Sequence, residues 1–427
     1  MARANNKRRF LIVSVAQGMA FLALFVFPAQ AKLGVLAEQP DWLLLDGYQG
    51  TVTAEEFKSR VPRYSSDGAL YQYLVVGDDR VEVYSDKQKQ VRLWTLQFAG
   101  PKASAPVPSG TLTVNPGAPA ASDANDKPLA GLRICLDPGH IGGDWADMEE
   151  RHFRIGKGPW VDEATLNFET CKWIDQGLKD AGAEVFWTKQ LGVPVTAKRP
   201  ADFVRQAITL MWRQDEKKAA RSPEAGLLKL LQWYQELIFY RVAEIQARAE
   251  VVQELHPDLT LCVHYNAFGW SKRGPRLYKG VNRIVIFVHG SYLASELEND
   301  DMKYGLFRKL LENNAATESR VADAIGRQVA KVWDFPAEQY GDGSPTASAA
   351  SAGEMPYVWS RNLLANRLYP GPVVFTEGPF MDDRLMYQRI IAGDYDGEQS
   401  IAGKKYRSIY REYAEIVVQG VIDAYRK

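Results

Sequence analysis

Short apolar runs alternate with longer segments of helical periodicity over residues 130–427, and this alternation is the main structural signal of the chain. Strands are predicted at "RICLD", "EVFWT", "LTLCVH", "RIVIFV" and "PVVFTE", and helices at segments such as "ATLNFETCKWIDQGLKDAG" and "YRSIYREYAEIVVQGVIDAYRK". Strands that are apolar throughout are typical of parallel sheets covered on both faces. We therefore predict an α/β domain with a twisted, mostly parallel sheet and helices on both faces.

Residues 32–100 carry a different pattern, which predicts a small N-terminal α+β module. "TAEE", residues 53–56, is a capping-box pattern that opens a short helix, and "YQYLVV", "RVEVYS" and "VRLWTLQF" follow it as strands. Residues 101–129 are rich in Pro, Ala, Ser and Gly and predict a linker. The predicted order is thus a module at 32–100, a linker at 101–129 and the α/β domain at 130–427.

The first 31 residues resemble an export signal. A basic segment, "RANNKRR", precedes an 18-residue apolar run, and Ala29-Gln30-Ala31 is a small-x-small cleavage pattern. An uncleaved membrane anchor is the alternative; if the signal is cleaved, we expect no membrane association of the mature chain. In both cases the remainder is predicted to lie outside the cytoplasm, in the periplasm or cell envelope.

Composition is that of an ordinary globular protein, with 46% hydrophobic and 24% charged residues. The formal net charge is zero, so we predict no nucleic-acid partner. The three cysteines, Cys135, Cys171 and Cys262, each lie in an apolar context and predict buried thiols rather than a disulfide framework.

Polar side chains that can bind a metal stand at the ends of three predicted strands. The first strand ends at Asp137 and is followed by His140, and the other two end in His264 and Glu377. Loops at the carboxyl ends of strands in an open α/β sheet converge, so these side chains are expected to meet. Two imidazoles, a carboxylate and an open position form the ligand set of a catalytic zinc, and a further carboxylate can act as acid and base.

This ligand set requires one more acid, which we expect between the two histidines. The helical zinc motif HExxH is absent from the chain. Glu149, Glu150 and Glu163 are the candidates. Glu163 directly precedes the predicted helix "ATLN", a position from which a carboxylate can project towards the end of the first strand.

Four segments in order resemble the motifs of zinc-dependent N-acetylmuramoyl-L-alanine amidases (Amidase_3): "LRICLDPGHIGG", "EATLNF", "LTLCVHYNA" and "VVFTEGPF". The resemblance implies a phosphorylase/hydrolase-like α/β fold, one zinc ion, and hydrolysis of the amide between N-acetylmuramic acid and L-alanine in peptidoglycan. It implies His140, Glu163 and His264 as zinc ligands and Glu377 as the catalytic glutamate. Asn266 matches a polar position near the metal and is expected to contact substrate.

The chain also departs from the family pattern, which leaves alternatives open. Ile141 interrupts the usual Gly-Gly pair and the segment between His140 and Glu163 is long, so Glu149 or Glu150 remains an alternative ligand. The segments 201–256 and 289–360 exceed what a minimal amidase needs; each is a hypothetical blocking element that an activator protein would displace.

Two other function classes are compatible with the sequence. One is a secreted zinc peptidase of the carboxypeptidase type, which would need an arginine for a terminal carboxylate. The other is a non-catalytic, wall-binding regulator on the same scaffold. The remaining histidines, His152, His256 and His289, are interpreted as structural or surface residues.

Overall fold

The computed structural model describes residues 32–100, 127–267, 278, 280, 282–333, 335–340 and 349–426. The predicted export signal and nearly all of the predicted linker lie outside these ranges. Among the described residues, we find no helix with the length and apolar character needed to span a membrane. Leu33–Lys427 form the compact unit described below.

A seven-stranded sheet forms the centre of this unit. The strands of the described residues are β1 (Leu74–Val76), β2 (Arg80–Tyr84), β3 (Arg92–Gln97), β4 (Arg133–Pro138), β5 (His152–Phe153), β6 (Val161–Asp162), β7 (Glu184–Trp187), β8 (Leu259–Asn266), β9 (Val285–His289), β10 (Ala350–Ser351), β11 (Val358–Arg361), β12 (Val373–Phe380), β13 (Gln399–Ile401) and β14 (Lys404–Tyr406). The order of strands in the central sheet is β10-β11-β9-β12-β8-β4-β7. Four of its six neighbouring pairs are parallel, which confirms the prediction of a mostly parallel sheet.

Helices cover both faces of the central sheet. The α-helices of the described residues are α1 (Ala54–Tyr64), α2 (Glu163–Asp180), α3 (Val204–Arg221), α4 (Glu224–Ile238), α5 (Glu244–Leu255), α6 (Asp300–Glu312), α7 (Ala315–Val332), α8 (Leu364–Leu368), α9 (Arg384–Ile391) and α10 (Ile409–Tyr425). Helices α2, α7 and α10 share one hydrophobic core with one face of the sheet, and α5 and α8 pack on the other. Because side chains alternate along a strand, each strand has to be apolar on both faces.

Residues 42–98 contain the three-stranded antiparallel sheet β1-β2-β3 and helix α1. The predicted capping box is present, with Thr53 and Glu56 exchanging side-chain and backbone hydrogen bonds. Trp42 and Phe57 of this segment pack in the same core as Phe307 of α6. The N-terminal segment therefore shares its core with a helix that follows β9.

Strand direction determines which strand ends can meet. Strands β4, β7, β8 and β12 run parallel, whereas β9 pairs antiparallel with β12 and β11 runs with β9. The carboxyl ends of β4, β8 and β12 therefore lie at one edge of the sheet. The ends of β9 and β11 lie at the opposite edge.

The long helical connection, α3 to α5, packs beside the loop that follows β4. Its core includes Ile141, with Trp145 and Met148 packed against it. The Trp145 and Phe239 ring centroids lie 5.1 Å apart. The apolar residues of α3 and α4 therefore form a packing face against this loop. All three cysteines are buried and free, as predicted.

Candidate metal centre

His140, Glu163 and His264 come together at the edge where β4 and β8 end. Each offers one ligand atom, and these atoms all lie within 4.8 Å of one another. The two imidazole rings lie edge to face, with centroids 5.0 Å apart. Among the described residues this is the group of His, Cys, Asp and Glu side chains whose ligand atoms converge.

The distances within this group suit a tetrahedral metal ion. Glu163 Oε1 lies 3.1 Å from His140 Nε2 and 3.2 Å from His264 Nδ1. Ligands that each lie about 2.0–2.1 Å from a tetrahedral zinc are separated by about 3.3 Å. Both glutamate–histidine separations therefore match such an ion, and the ligand nitrogens of the two histidines lie within 4.8 Å of each other.

Local backbone geometry explains why these three side chains converge. His140 has a φ of 62°, a left-handed conformation that reverses the chain after β4. Glu163 is the first residue of α2, directly after the helix cap Asp162. Gly139 lies against the His264 ring, and a Cβ atom there would lie 2.1 Å from His264 Cε1. Gly139 is therefore needed for the close approach of the loop after β4 to His264 on β8.

Glu149 lies behind His140 and not among the converging ligand atoms. Its carboxylate accepts hydrogen bonds from the backbone N–H groups of Ile141 and Gly142 at 2.9–3.0 Å. Its Oε1 also lies 3.5 Å from His140 Nδ1. A carboxylate on the far nitrogen fixes the ring and tautomer of a metal-binding histidine. Glu150, the other candidate, is exposed.

Two residues that the sequence reasoning missed also support the site. Arg151 Nε donates to Glu163 Oε2 at 3.1 Å and lies 3.3 Å from His140 Nε2. Asn167, buried one turn along α2, donates to the Gly139 carbonyl at 3.1 Å. Asn167 is part of the motif "EATLNF", so the sequence offers a signal for its contact with Gly139. Nothing in the local sequence pattern distinguishes Arg151 from a surface arginine.

Charges in the site are strongly coupled. Burial works against protonation of His140, yet Glu163 and Glu149 raise the pKa of His140 to about 9. Burial likewise works against ionisation of Glu163, but His140, His264 and Arg151 hold the pKa of Glu163 well below its usual value. The free site is thus a buried ion pair, and a metal ion would replace the proton on His140.

Glu377 stands beside the metal-ligand group on the next strand. It is paired with His264 in the parallel register of β12 and β8, so both side chains lie on the same face of the sheet. Burial and the neighbouring Glu163 charge raise the pKa of Glu377 to about 8. Glu377 makes no ion pair with another described residue, so its carboxyl group is not held in a structural salt bridge there.

Asn266 ends β8 two residues beyond His264. Its side-chain oxygen accepts from the backbone N–H of Ala267 at 2.7 Å, and its carbonyl accepts from Met381. The side chain therefore shapes the end of the strand at the rim of the site. Its expected contact with substrate remains a prediction.

Asp137 lies beneath the site in a buried polar network. It accepts hydrogen bonds from Thr188, Tyr369 and Arg248, at 2.6, 2.7 and 3.2 Å. Arg248 also pairs with Glu244, both on α5. This network ties the end of β4 to the helical connection, so Asp137 has a structural role.

No protein-family model and no curated protein matches the chain. The chain is similar to solved structures of N-acetylmuramyl-L-alanine amidase Ami1 from Mycobacterium smegmatis, at 14% identity and a TM-score of 0.37 over 70% of this chain and 98% of that chain. It is similar to Ami1 from Mycobacterium abscessus at 16% identity and a TM-score of 0.36, over 69% and 99% of the two chains. It is also similar to the CwlD amidase from Clostridioides difficile, solved in complex with the GerS lipoprotein, at 13% identity and a TM-score of 0.37, over 69% of this chain and 98% of that chain. At these values the chemistry of this chain has to be inferred from its own side chains.

Proposed function

We propose that this chain is a zinc-dependent hydrolase that cleaves the amide between N-acetylmuramic acid and L-alanine in peptidoglycan. The observation that carries the proposal is the convergence of His140, Glu163 and His264, with Glu377 beside His264 on the neighbouring strand. Two imidazoles and a monodentate carboxylate leave one position of a tetrahedral zinc open, as catalytic zinc sites do.

The residues of the site divide into three roles. His140, Glu163 and His264 would hold the ion, while Glu149 faces the far nitrogen of His140 and Arg151 holds the second oxygen of Glu163. When bound, zinc supplies a Lewis acid that polarises the amide carbonyl and acidifies water. Glu377 takes a proton from the attacking water and delivers it to the nitrogen of the departing L-alanine, so one carboxyl group acts first as base and then as acid.

Features of the sequence support the proposed substrate and the proposed location. The four motifs in order resemble those of enzymes that act on the muramoyl–alanine amide, and the predicted export signal would direct the chain to the cell envelope. Peptidoglycan is the partner proposed here, and an activator protein remains a hypothesis.

Incubation of the full chain with purified peptidoglycan, followed by mass spectrometry of the soluble products, tests the proposal. We expect intact stem peptides with a free L-alanine amine, loss of release with a chelator, and recovery with zinc. Release of single amino acids would favour the carboxypeptidase alternative. Absence of both release and bound zinc would favour the wall-binding regulator.

Two substitutions separate metal binding from proton transfer. His264→Ala is expected to lose most bound zinc and all measurable turnover. Glu377→Gln is expected to keep zinc and to lower the rate by on the order of 10² to 10⁴. A Glu377→Gln variant with a near-normal rate would show that another group transfers the proton.

A further inference from the structure

The long segment between His140 and Glu163 contains a hairpin, and both ends of this hairpin lie in the metal centre. Strands β5 and β6 pair antiparallel, with Phe153 opposite Val161. Arg151 directly precedes β5; its carbonyl accepts from the backbone N–H of Glu163 at 3.1 Å, and its guanidinium contacts the Glu163 carboxylate. Glu163 directly follows β6. The hairpin therefore stands beside the metal-ligand group.

The tip of the hairpin is held in place by Tyr387 on α9. The Tyr387 hydroxyl donates to the carbonyl of Pro159 at 2.8 Å and accepts from the backbone N–H of Ile155 at 3.4 Å. A Cβ atom at Gly158 would lie 2.4 Å from that hydroxyl oxygen, so a glycine is needed for this approach. Ile155 is itself buried. The hairpin is therefore a fixed part of the rim of the site.

Trp160, directly before β6, is the most exposed aromatic side chain of the described residues. Its exposed fraction is 56%. The His152 ring stacks on it, with centroids 4.3 Å apart and 30° between the ring planes, and Asp147 lies 2.8 Å from His152 Nδ1. The indole N–H of Trp160 makes no hydrogen bond with another described residue. Exposure of a large apolar ring to water is unfavourable, and here the ring is also fixed in orientation, as a ligand-binding surface requires.

Arg154 makes the contact with Trp160 that a ligand can displace. Its guanidinium carbon lies 4.9 Å from the centre of the indole ring. Arg154 is exposed and makes no ion pair with another described residue, and an exposed cation–π contact is weak. A guanidinium that moves off the ring stays beside it as a hydrogen-bond donor. The hairpin thus combines a flat apolar ring with polar donors at its edge.

A sugar ring matches this combination better than a peptide does. A pyranose presents a face of C–H groups, with hydroxyl and acetamido groups around its edge. The C–H groups carry partial positive charge, which suits the negative face of an indole. The stem peptide carries carboxylates, which the same negative face disfavours.

The position of Trp160 also suits the glycan. Trp160 precedes Glu163 by three residues, so their Cα atoms lie at most about 11 Å apart. In the proposed substrate the glycan is joined to the scissile amide through the lactyl group alone. A scissile amide at the metal centre would therefore place the nearest sugar rings within reach of the hairpin.

We propose that Trp160 binds a sugar ring of the glycan strand by stacking, on the acyl side of the scissile amide. The inference rests on the proposed function and assigns the recognition of the glycan to the hairpin between β5 and β6. Trp160 is a binding residue and takes no part in the proton transfers.

Binding of peptide-free glycan tests the inference without turnover. The full chain is titrated calorimetrically with a tetrasaccharide of alternating N-acetylglucosamine and N-acetylmuramic acid, and separately with the tripeptide L-Ala-γ-D-Glu-L-Lys. Trp160→Ala is expected to weaken tetrasaccharide binding about 10-fold and to leave tripeptide binding unchanged. Tyr71→Ala removes an exposed aromatic ring of the N-terminal segment and should behave as the unmodified chain.

A conservative variant separates direct contact from support of the hairpin. Trp160→Tyr keeps an aromatic face and should retain most of the tetrasaccharide affinity. The tetrasaccharide should change the tryptophan emission of the unmodified chain, and this change should be lost in Trp160→Tyr although the sugar still binds. An affinity loss in Trp160→Tyr as large as that in Trp160→Ala, or an emission change that persists in Trp160→Tyr, would overturn the stacking role.

Turnover provides the second measurement. With peptidoglycan fragments, Trp160→Ala is expected to raise KM about 10-fold and to leave kcat and bound zinc unchanged. Unchanged tetrasaccharide affinity and KM in a hydrolysing Trp160→Ala variant, or a loss of tripeptide affinity alone, would overturn the inference and leave the proposed function standing. Glycan binding that depends on Trp160, in a chain that releases no peptide, would instead keep the glycan site and refute the amidase function.

Discussion

Glu149→Gln is the substitution that most directly tests how the metal centre is organised. The Glu149 carboxylate accepts from the Ile141 and Gly142 backbone N–H groups on one side and faces His140 Nδ1 on the other. Glutamine is isosteric and can keep its oxygen on the backbone donors. Its NH₂ group then faces His140 Nδ1, which has to become an acceptor, so the ring proton moves to Nε2.

That tautomer is the wrong one for metal binding, because His140 Nε2 is the nitrogen that faces Glu163 Oε1. Loss of a carboxylate behind a ligating histidine costs about 10- to 100-fold in metal affinity. This corresponds to about 1.4–2.8 kcal/mol of binding free energy. The free energy of unfolding of the metal-free chain should change far less, since the backbone hydrogen bonds persist.

Competition with a chromogenic chelator measures zinc affinity, and circular dichroism of the metal-free chain verifies folding. Glu150→Gln is the matched control, because it removes the neighbouring, exposed carboxylate and should leave zinc affinity unchanged. Zinc affinity equal to that of the unmodified chain in Glu149→Gln would refute this role. Retention of zinc by Glu163→Gln together with complete loss in Glu149→Gln would show that Glu149 is the ligand.

Three further predictions concern the framework of the site. Gly139→Ala should lower zinc affinity with little loss of secondary structure, measured by the same competition assay, because the new methyl group would displace the His264 ring. Ile141→Ala should lower the free energy of unfolding, measured in urea, by about 2–4 kcal/mol, because Ile141 is fully buried in the core shared with α3 and α4. Unchanged stability would contradict a packing role for helices α3 and α4 against this loop. Burial opposes ionisation of Asp137, but Arg248 and two hydroxyl donors hold its pKa below the usual value. The ionised Asp137 carboxylate therefore contributes fully to stability at pH values above its unfolded-state pKa of about 3.9. This contribution is lost as the pH falls through the lower pKa that Asp137 has in the folded state. Between pH 6 and pH 2 the unmodified chain should lose more unfolding free energy than Asp137→Asn, and equal losses would contradict the pKa shift.

The strands and the approximate positions of the metal-binding side chains could be predicted because both leave local signals. Continuous apolar runs mark strands buried on two faces, and a polar residue that ends such a run marks an edge of the sheet. This signal points to His140 and His264, but His289 also ends an apolar run, and the motifs "DPGHIGG" and "LTLCVHYNA" are what separate the first two from it. The contact between Glu163 and both of them depends on the start of α2, which the motif "EATLNF" indicates.

The supporting residues could not be predicted, because their roles depend on contacts across loops. Glu149 and Glu150 are adjacent acids in the same segment, yet one is buried against the backbone of the His140 loop and the other is exposed. Which of two neighbouring side chains turns inwards depends on the path of the loop. That path is set by packing of Ile141 and Trp145 against α3 and α4, far along the chain.

Strand direction is the other property that local pattern does not encode, and it decides which histidines can bind a metal. His264 and His289 both close apolar strands, but β9 runs antiparallel to β12, so Val285 at its start lies beside Glu377. His289 is four residues further along, about 13 Å away at the opposite edge of the sheet. There it hydrogen-bonds with Tyr292 OH, and burial holds the pKa of His289 well below its usual value, so it remains a neutral core residue. A strand that is covered on both faces is apolar throughout, whichever way it runs in the sheet. The sequence pattern is therefore the same for β8 and β9, although the histidine that ends β8 is placed to bind a metal and the histidine that ends β9 lies in the core.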